Sequence, residues 1–116
     1  MNLDELLKNK ENVRFNDFSA TIEETNKGVF FMYSCWSPSL VQLRNLLTSL
    51  NGFQQIILFI FDADSNEFPE FKKKNKLFLD GWGETFWIKS GKIIAEMKKY
   101  NSENLNSLVN NNNQIS

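Results

Sequence analysis

Two stretches of this chain, Val29-Phe30-Phe31-Met32-Tyr33 and Ile56-Ile57-Leu58-Phe59-Ile60-Phe61, are apolar at every position. A strand with one wet face alternates apolar and polar side chains. A strand that is apolar throughout suits burial on both faces, in the middle of a parallel or mixed sheet. Two such strands need helices on both sides, and the segment between them supplies one. Leu40, Leu43, Leu47 and Leu50 recur three or four residues apart, with Val41 and Leu46 beside them, giving the clearest amphipathic helix in the chain. Ser37 suits its N-cap and Pro38 its first helical position, where a missing amide hydrogen costs nothing. Asn51-Gly52 ends it.

The remaining elements follow from weaker patterns. Leu3, Leu6 and Leu7 predict a short leading helix, with Asp4 and Glu5 at its start and Lys8 later, as the helix dipole favours. Val13 and Phe15 alternate as a weak strand. Asp17 to Asn26 is expected to be a helix with Phe18 and Ile22 on one face, closed by Lys27-Gly28. Glu67 to about Lys76 reads as a helix that packs Phe68 and Phe71. Leu77 to Leu79 is apolar, and Asp80-Gly81-Trp82-Gly83 is a turn. Glu84–Lys89 and Lys92–Met97 form a hairpin through Ser90-Gly91. Leu105, Leu108 and Val109 share a helical face within Ser102–Val109, and the following asparagines read as frayed. The expected architecture is α/β: a mixed central sheet flanked by helices, with an extra N-terminal helix. It forms one domain over 1–110, followed by a flexible Asn-rich tail over 111–116.

Composition serves mainly to exclude. With 116 residues, 41% apolar and 23% charged, the chain has material for a single core. A formal net charge of −1 creates no field that would draw nucleic acid or a membrane surface. No apolar run approaches the roughly 20 residues of a membrane-spanning helix. The N-terminus has acidic residues and no continuous apolar core, unlike a secretory signal. A single cysteine permits no intramolecular disulfide, and a cytoplasmic location is the expectation. The absence of histidine removes the commonest general base, the Ser-His-Asp and Cys-His arrangements, and the usual zinc ligands. No cofactor is expected.

The order of elements and several residues together resemble the thioredoxin-like superfamily over roughly Asn12 to Val109. The strand running into Ser34-Cys35-Trp36 is similar to that family's apolar strand leading to an aromatic residue before its active site. Phe61-Asp62 is similar to the end of the next central strand. Gly81-Trp82-Gly83-Glu84-Thr85-Phe86 resembles the Gly-x-Pro-Glu-Thr-Phe segment of the membrane-anchored, cytochrome-maturation branch, and Lys89-Ser90-Gly91-Lys92 its hairpin turn. The resemblance implies a Trp-Cys-x-x-Cys site, where the helix N-terminus and neighbouring groups lower the pKa of the attacking thiol and a second thiol resolves the mixed disulfide. That pair is missing. Aligned on Trp36, the two cysteine positions fall at Ser37 and Leu40; aligned on Pro38, at Trp36 and Ser39. The family's cis-proline falls at Gly83, where a cis bond would cost about 3 kcal/mol and a trans bond is expected. The chain therefore reads as a degenerate member.

Cys35 has two readings: a buried, inert thiol, or an exposed one activated by the helix start. Ser37 and Ser39 read as helix-capping residues, since nothing obvious activates a hydroxyl. The run Lys72 to Lys76 reads as a solvated helix face, with docking of an acidic partner as the competing reading. Asp62, Asp64 and Asn66 have the first spacings of a calcium loop, but Glu67 and Lys73 stand where it needs Gly and an acid, so no metal is expected. Trp36 and Trp82 either seal the core or flank a peptide-binding surface, with Gly83 leaving backbone accessible; Trp87 reads as core. The expected function is redox-inactive and non-catalytic. The domain binds another protein through Trp36, Ser37, Pro38, Trp82, Gly83 and Glu84. That partner is a client, a regulated enzyme, or a toxin neutralised by an immunity protein. The alternative is a thiol-disulfide or peroxide-reactive monothiol enzyme using Cys35.

Overall fold

The computed structural model describes residues 3–35, 38–77 and 83–116. Its elements are α1 (Leu3–Leu7), β1 (Val13–Phe15), β2 (Lys27–Tyr33), α2 (Ser39–Ser49), β3 (Ile57–Asp62), α3 (Phe68–Lys74), β4 (Thr85–Lys89), β5 (Lys92–Met97) and α4 (Leu105–Ile115), the last preceded by a 3-10 turn at Ser102–Asn104. The five strands form one mixed sheet in the order β1-β3-β2-β4-β5. β1 and β2 run parallel to β3, while β4 runs antiparallel to β2 and β5. The two all-apolar runs are the central strands, as their composition demands: Val29, Phe30, Phe31 and Met32 are fully buried.

Period-two alternation sends β2 and β3 side chains to two cores. On one face Val29, Phe31, Tyr33, Leu58 and Ile60 meet Leu43 and Leu46 of α2, Leu108 and Ile115 of α4, and Trp87. On the other, Phe30, Met32 and Phe61 meet Phe18, Phe68 and Phe71, with Phe86 and Ile88 from β4. The hairpin turn places Ser90 and Gly91 at φ 51° and 81°, the pair of positive values that a two-residue turn with the right twist requires. β5 carries a bulge between its pairings Trp87–Ala95 and Ile88–Ile93, which leaves Ile94 without an opposite residue.

Four expectations are corrected. Residues 17–26 form turns rather than a helix. Ser19 Oγ donates to Asp17 Oδ1 (2.6 Å), and Thr21 Oγ1 accepts from the Glu24 amide (3.1 Å), so local side chains take up groups that a helix would use. Gly28 does not cap a helix but lies within β2, where a β-carbon would come within 2.6 Å of Thr25 Cγ2. Pro38 occupies the cap position of α2 rather than its first turn. The segment 111–116, expected as a flexible tail, is helical through Ile115. Asn112 and Ile115 are fully buried there, because they continue the face begun by Leu108.

Candidate functional site

The site lies at the C-terminal ends of the two central strands. Parallel pairing of β2 with β3 sets Tyr33 beside Asp62, and the Ala63 amide donates to the Tyr33 carbonyl (2.8 Å). The Met32 amide donates to the Glu84 carbonyl (2.9 Å), which brings the entrance of β4 to the same end of the sheet. The exit of β2, the start of α2 and the entrance of β4 thus converge.

Cys35 is exposed, which settles one of its two readings against burial. Its surroundings also oppose activation. The thiol donates to Asp64 Oδ2 at 3.5 Å. That hydrogen bond, then partial desolvation, then the charges of Asp64 and Asp62, push its pKa above the ordinary thiol value; its own backbone pulls weakly the other way. A thiol meant to attack needs the reverse environment, cationic and electron-withdrawing. Burial first, then the charges of Cys35, Asp62 and Asp64, raise the pKa of Tyr33.

Ser39 is fully buried and does not cap α2 by the expected route. Its Oγ donates to the Ser34 carbonyl (2.6 Å) and accepts from the Ser34 amide (3.0 Å). One hydroxyl thereby satisfies both backbone groups of the residue that leaves the central strand. In the alignment on Pro38, Ser39 stands where the second redox cysteine would be, and the structure uses it to hold the loop to the helix.

Gly83 and Glu84 are buried, contrary to the expectation that they line an open surface. Gly83 has φ +86°, and a β-carbon there would run into Gln42 Oε1. Glycine is required twice, by backbone conformation and by the close approach of Gln42. Gln42 Oε1 and Asn45 Nδ2 are buried and have no hydrogen-bond partner among the described residues. Behind Gly83, Thr85 Oγ1 donates to its carbonyl (2.9 Å) and lies 2.8 Å from the Tyr100 hydroxyl. Because the single hydroxyl hydrogen of Thr85 goes to Gly83, Tyr100 acts as donor to Thr85. Burial pushes the Tyr100 hydroxyl far above its usual range.

Besides Cys35 and Asp64, this end of the molecule exposes Pro38 and Val41. They border a shallow depression of about 320 Å³ with Gln42, Tyr100, Asn101 and Asn104. Val41 is 46% exposed. The sequence reading placed it with the apolar stripe of α2, yet Val41, Arg44 and Thr48 all face outward. Tyr100 and Asn101 were missed; their signal is faint, an isolated aromatic before an Asn-Ser helix start. Trp36, Ser37 and Trp82 lie outside the described residues. Trp87 is core as expected and fully buried. Lys74 of the basic run is tied down, its Nζ donating to the Phe18 carbonyl (2.8 Å) and sitting 5.9 Å above the Phe71 ring. Among the described residues, no group of three or more acidic or cysteine side chains is placed to hold a metal ion, and no helix is long and apolar enough to cross a membrane.

No protein-family model matches the chain. No curated protein matches it. Solved structures do. The chain is similar in structure to thioredoxin O2 from Arabidopsis thaliana (TM-score 0.72, 14% identity, 87% of this chain and 94% of that one). It is also similar to desulfothioredoxin from Desulfovibrio vulgaris Hildenborough (TM-score 0.61, 16% identity, 81% and 92%) and to thioredoxin from Trypanosoma brucei brucei (TM-score 0.59, 19% identity, 81% and 78%). The fold is thioredoxin-like, and the chain carries it with a single cysteine.

Proposed function

We infer that this chain is a redox-inactive thioredoxin-like domain that acts by binding another protein. The observation that carries the reading is the state of the one thiol and of Ser39, which stands at the second cysteine position in the alignment on Pro38. The only thiol is hydrogen-bonded to a carboxylate that holds it protonated, and Ser39 is fully occupied in bridging Ser34. A fold retained without its chemistry leaves its surface as the remaining asset. Binding is assigned to exposed Pro38 and Val41, together with Trp36, Ser37 and Trp82 of the sequence reading. The partner is a polypeptide: a client, an enzyme under regulation, or a toxin neutralised by this chain as an immunity protein.

Affinity capture on the immobilised chain, followed by quantitative binding to whatever is retained, tests this. Val41→Glu and the pair Trp36→Ala with Trp82→Ala are expected to weaken binding at least tenfold while far-UV circular dichroism stays unchanged. Equal binding by all of these variants would refute the surface.

The monothiol alternative draws on the exposure of Cys35. Its raised pKa works against it. At neutral pH, alkylation of Cys35 is expected to be slower than that of free cysteine, and Asp64→Asn is expected to speed it by removing the carboxylate's negative charge. A Cys35 that reacts faster than free cysteine would restore the enzymatic reading.

A further inference from the structure

Asparagine is used throughout this chain to satisfy backbone groups. Asn12 Nδ2 donates to the Gln54 carbonyl, Asn16 Oδ1 accepts from the Asp62 amide, and Asn75 Oδ1 accepts from the Ile22 amide. Asn101 and Asn104 cap each other, and Asn112 is buried among three hydrogen bonds. Asn51 is placed differently from these. It is exposed, just beyond the end of α2, and its side chain makes no hydrogen bond among the described residues. The next residue is Gly52, also exposed, at φ +89°, with no heavy atom within 4 Å of where a β-carbon would stand. The Gly52 amide likewise donates to nothing among the described residues.

We propose that Asn51 is a site of spontaneous deamidation, a modification site built into the turn between α2 and β3. The Gly52 backbone nitrogen attacks Asn51 Cγ, and a carbon–nitrogen bond forms to close a succinimide ring. The Cγ–Nδ2 bond breaks, and ammonia leaves with the proton from the Gly52 amide. Water then opens the ring at either carbonyl, giving aspartate or isoaspartate. Three features of the turn favour the attack. Glycine presents no side chain to the approaching carbon, its amide is held in no hydrogen bond among the described residues, and both residues are exposed. Asparagines inside α2 and α4 are each followed by a residue that carries a side chain and lies within the helix.

The product has a structural consequence. A carboxylate arises at the C-terminal end of α2, where the helix dipole is already negative. The isoaspartate form also lengthens the main chain between the Asn51 amide, which donates to Thr48 (3.3 Å), and the Phe53 amide, which donates to Leu50 (2.9 Å). Both changes loosen the end of the helix whose other end presents Val41.

The full chain, incubated in warm, mildly alkaline buffer and then digested for mass spectrometry, provides the test. The peptide containing Asn51 is expected to gain the mass difference between oxygen and NH several-fold sooner than any other asparagine-containing peptide, and to split into two chromatographic forms. Asn51→Gln is expected to abolish the early acidic species on isoelectric focusing. Conversion of another asparagine first would overturn the proposal. So would a folded chain whose Asn51 converts many-fold more slowly than in urea, since the fold would then protect the turn.

Discussion

The two faces of the central sheet are built on different principles. The face covered by α3 and residues 17–26 is a stack of phenylalanines. Phe61 and Phe71 lie 4.0 Å apart between ring centroids, and Phe30 meets Phe59 and Phe61 edge-on at 5.2 and 5.1 Å. Its polar ties sit at the rim, where Lys74 and Asn75 reach backbone groups of Phe18 and Ile22. The face covered by α2 and α4 is mostly aliphatic, but polar pairs run through it. Trp87 Nε1 donates to Asn112 Oδ1 (2.8 Å), and Asn112 Nδ2 donates to the Ser49 carbonyl (3.0 Å) and to Ser49 Oγ (3.1 Å). Ring packing rewards volume and tolerates several arrangements; buried hydrogen bonds admit very few. The aromatic face therefore supplies bulk stability, while the polar face fixes how α2 and α4 sit on β4, and with them the position of Val41, Gly83 and Tyr100.

Phe61→Ala is expected to break the aromatic face hardest, costing about 3–5 kcal/mol, because it opens a cavity among four ring neighbours; urea denaturation measures it. Asn112→Ala is expected to cost about 1–3 kcal/mol by leaving Trp87 Nε1 and the Ser49 carbonyl without partners in the interior. Its signature is non-additivity with Ser49→Ala in a double-mutant cycle. If the cycle closes with no coupling, the contrast between the faces fails. Tyr100→Phe is the mildest, about 0.5–1.5 kcal/mol, and is read best through pH. The folded state holds the Tyr100 proton more tightly than the unfolded state does. The stabilisation is therefore complete below the unfolded pKa of about 10 and is lost as pH rises beyond it. Removing the hydroxyl should make the alkaline fall in stability shallower.

The contrast also explains what could be read from the sequence. Runs such as Ile56–Phe61 and the leucines of α2 announce themselves because each residue reports its own burial, and the Ser90-Gly91 turn is specified by local backbone conformation. Residues 17–26 misled because their helical spacing is real, but the Thr21 and Thr25 hydroxyls compete for the backbone. The last helix was read short because asparagines look solvated; Asn112 is instead the hub of a buried network, visible only once Trp87 and Ser49 are known to lie opposite. At the candidate site, the missing cysteine pair was legible residue by residue. The exposure of Cys35 beside Asp64, the burial of Gly83 and Glu84, and the outward aim of Val41 were not. Each depends on contacts between segments far apart in the chain.

The bulge in β5 bears on how this molecule behaves in a crowd. An outer strand of a sheet offers a row of unpaired amides and carbonyls to any neighbour of matching pleat, and Ile93 and Ile94, 41% and 45% exposed, would make such a match adhesive. The unpaired Ile94 breaks the even spacing of that row, and Lys92 and Glu96 within the strand, with Lys98 and Lys99 just past its end, place charges beside it. A second copy laid edge to edge finds neither a continuous ladder nor a neutral one. Concentrated solutions should stay clear without growth of thioflavin-positive fibrils, although the strand has the composition of a segment that forms them.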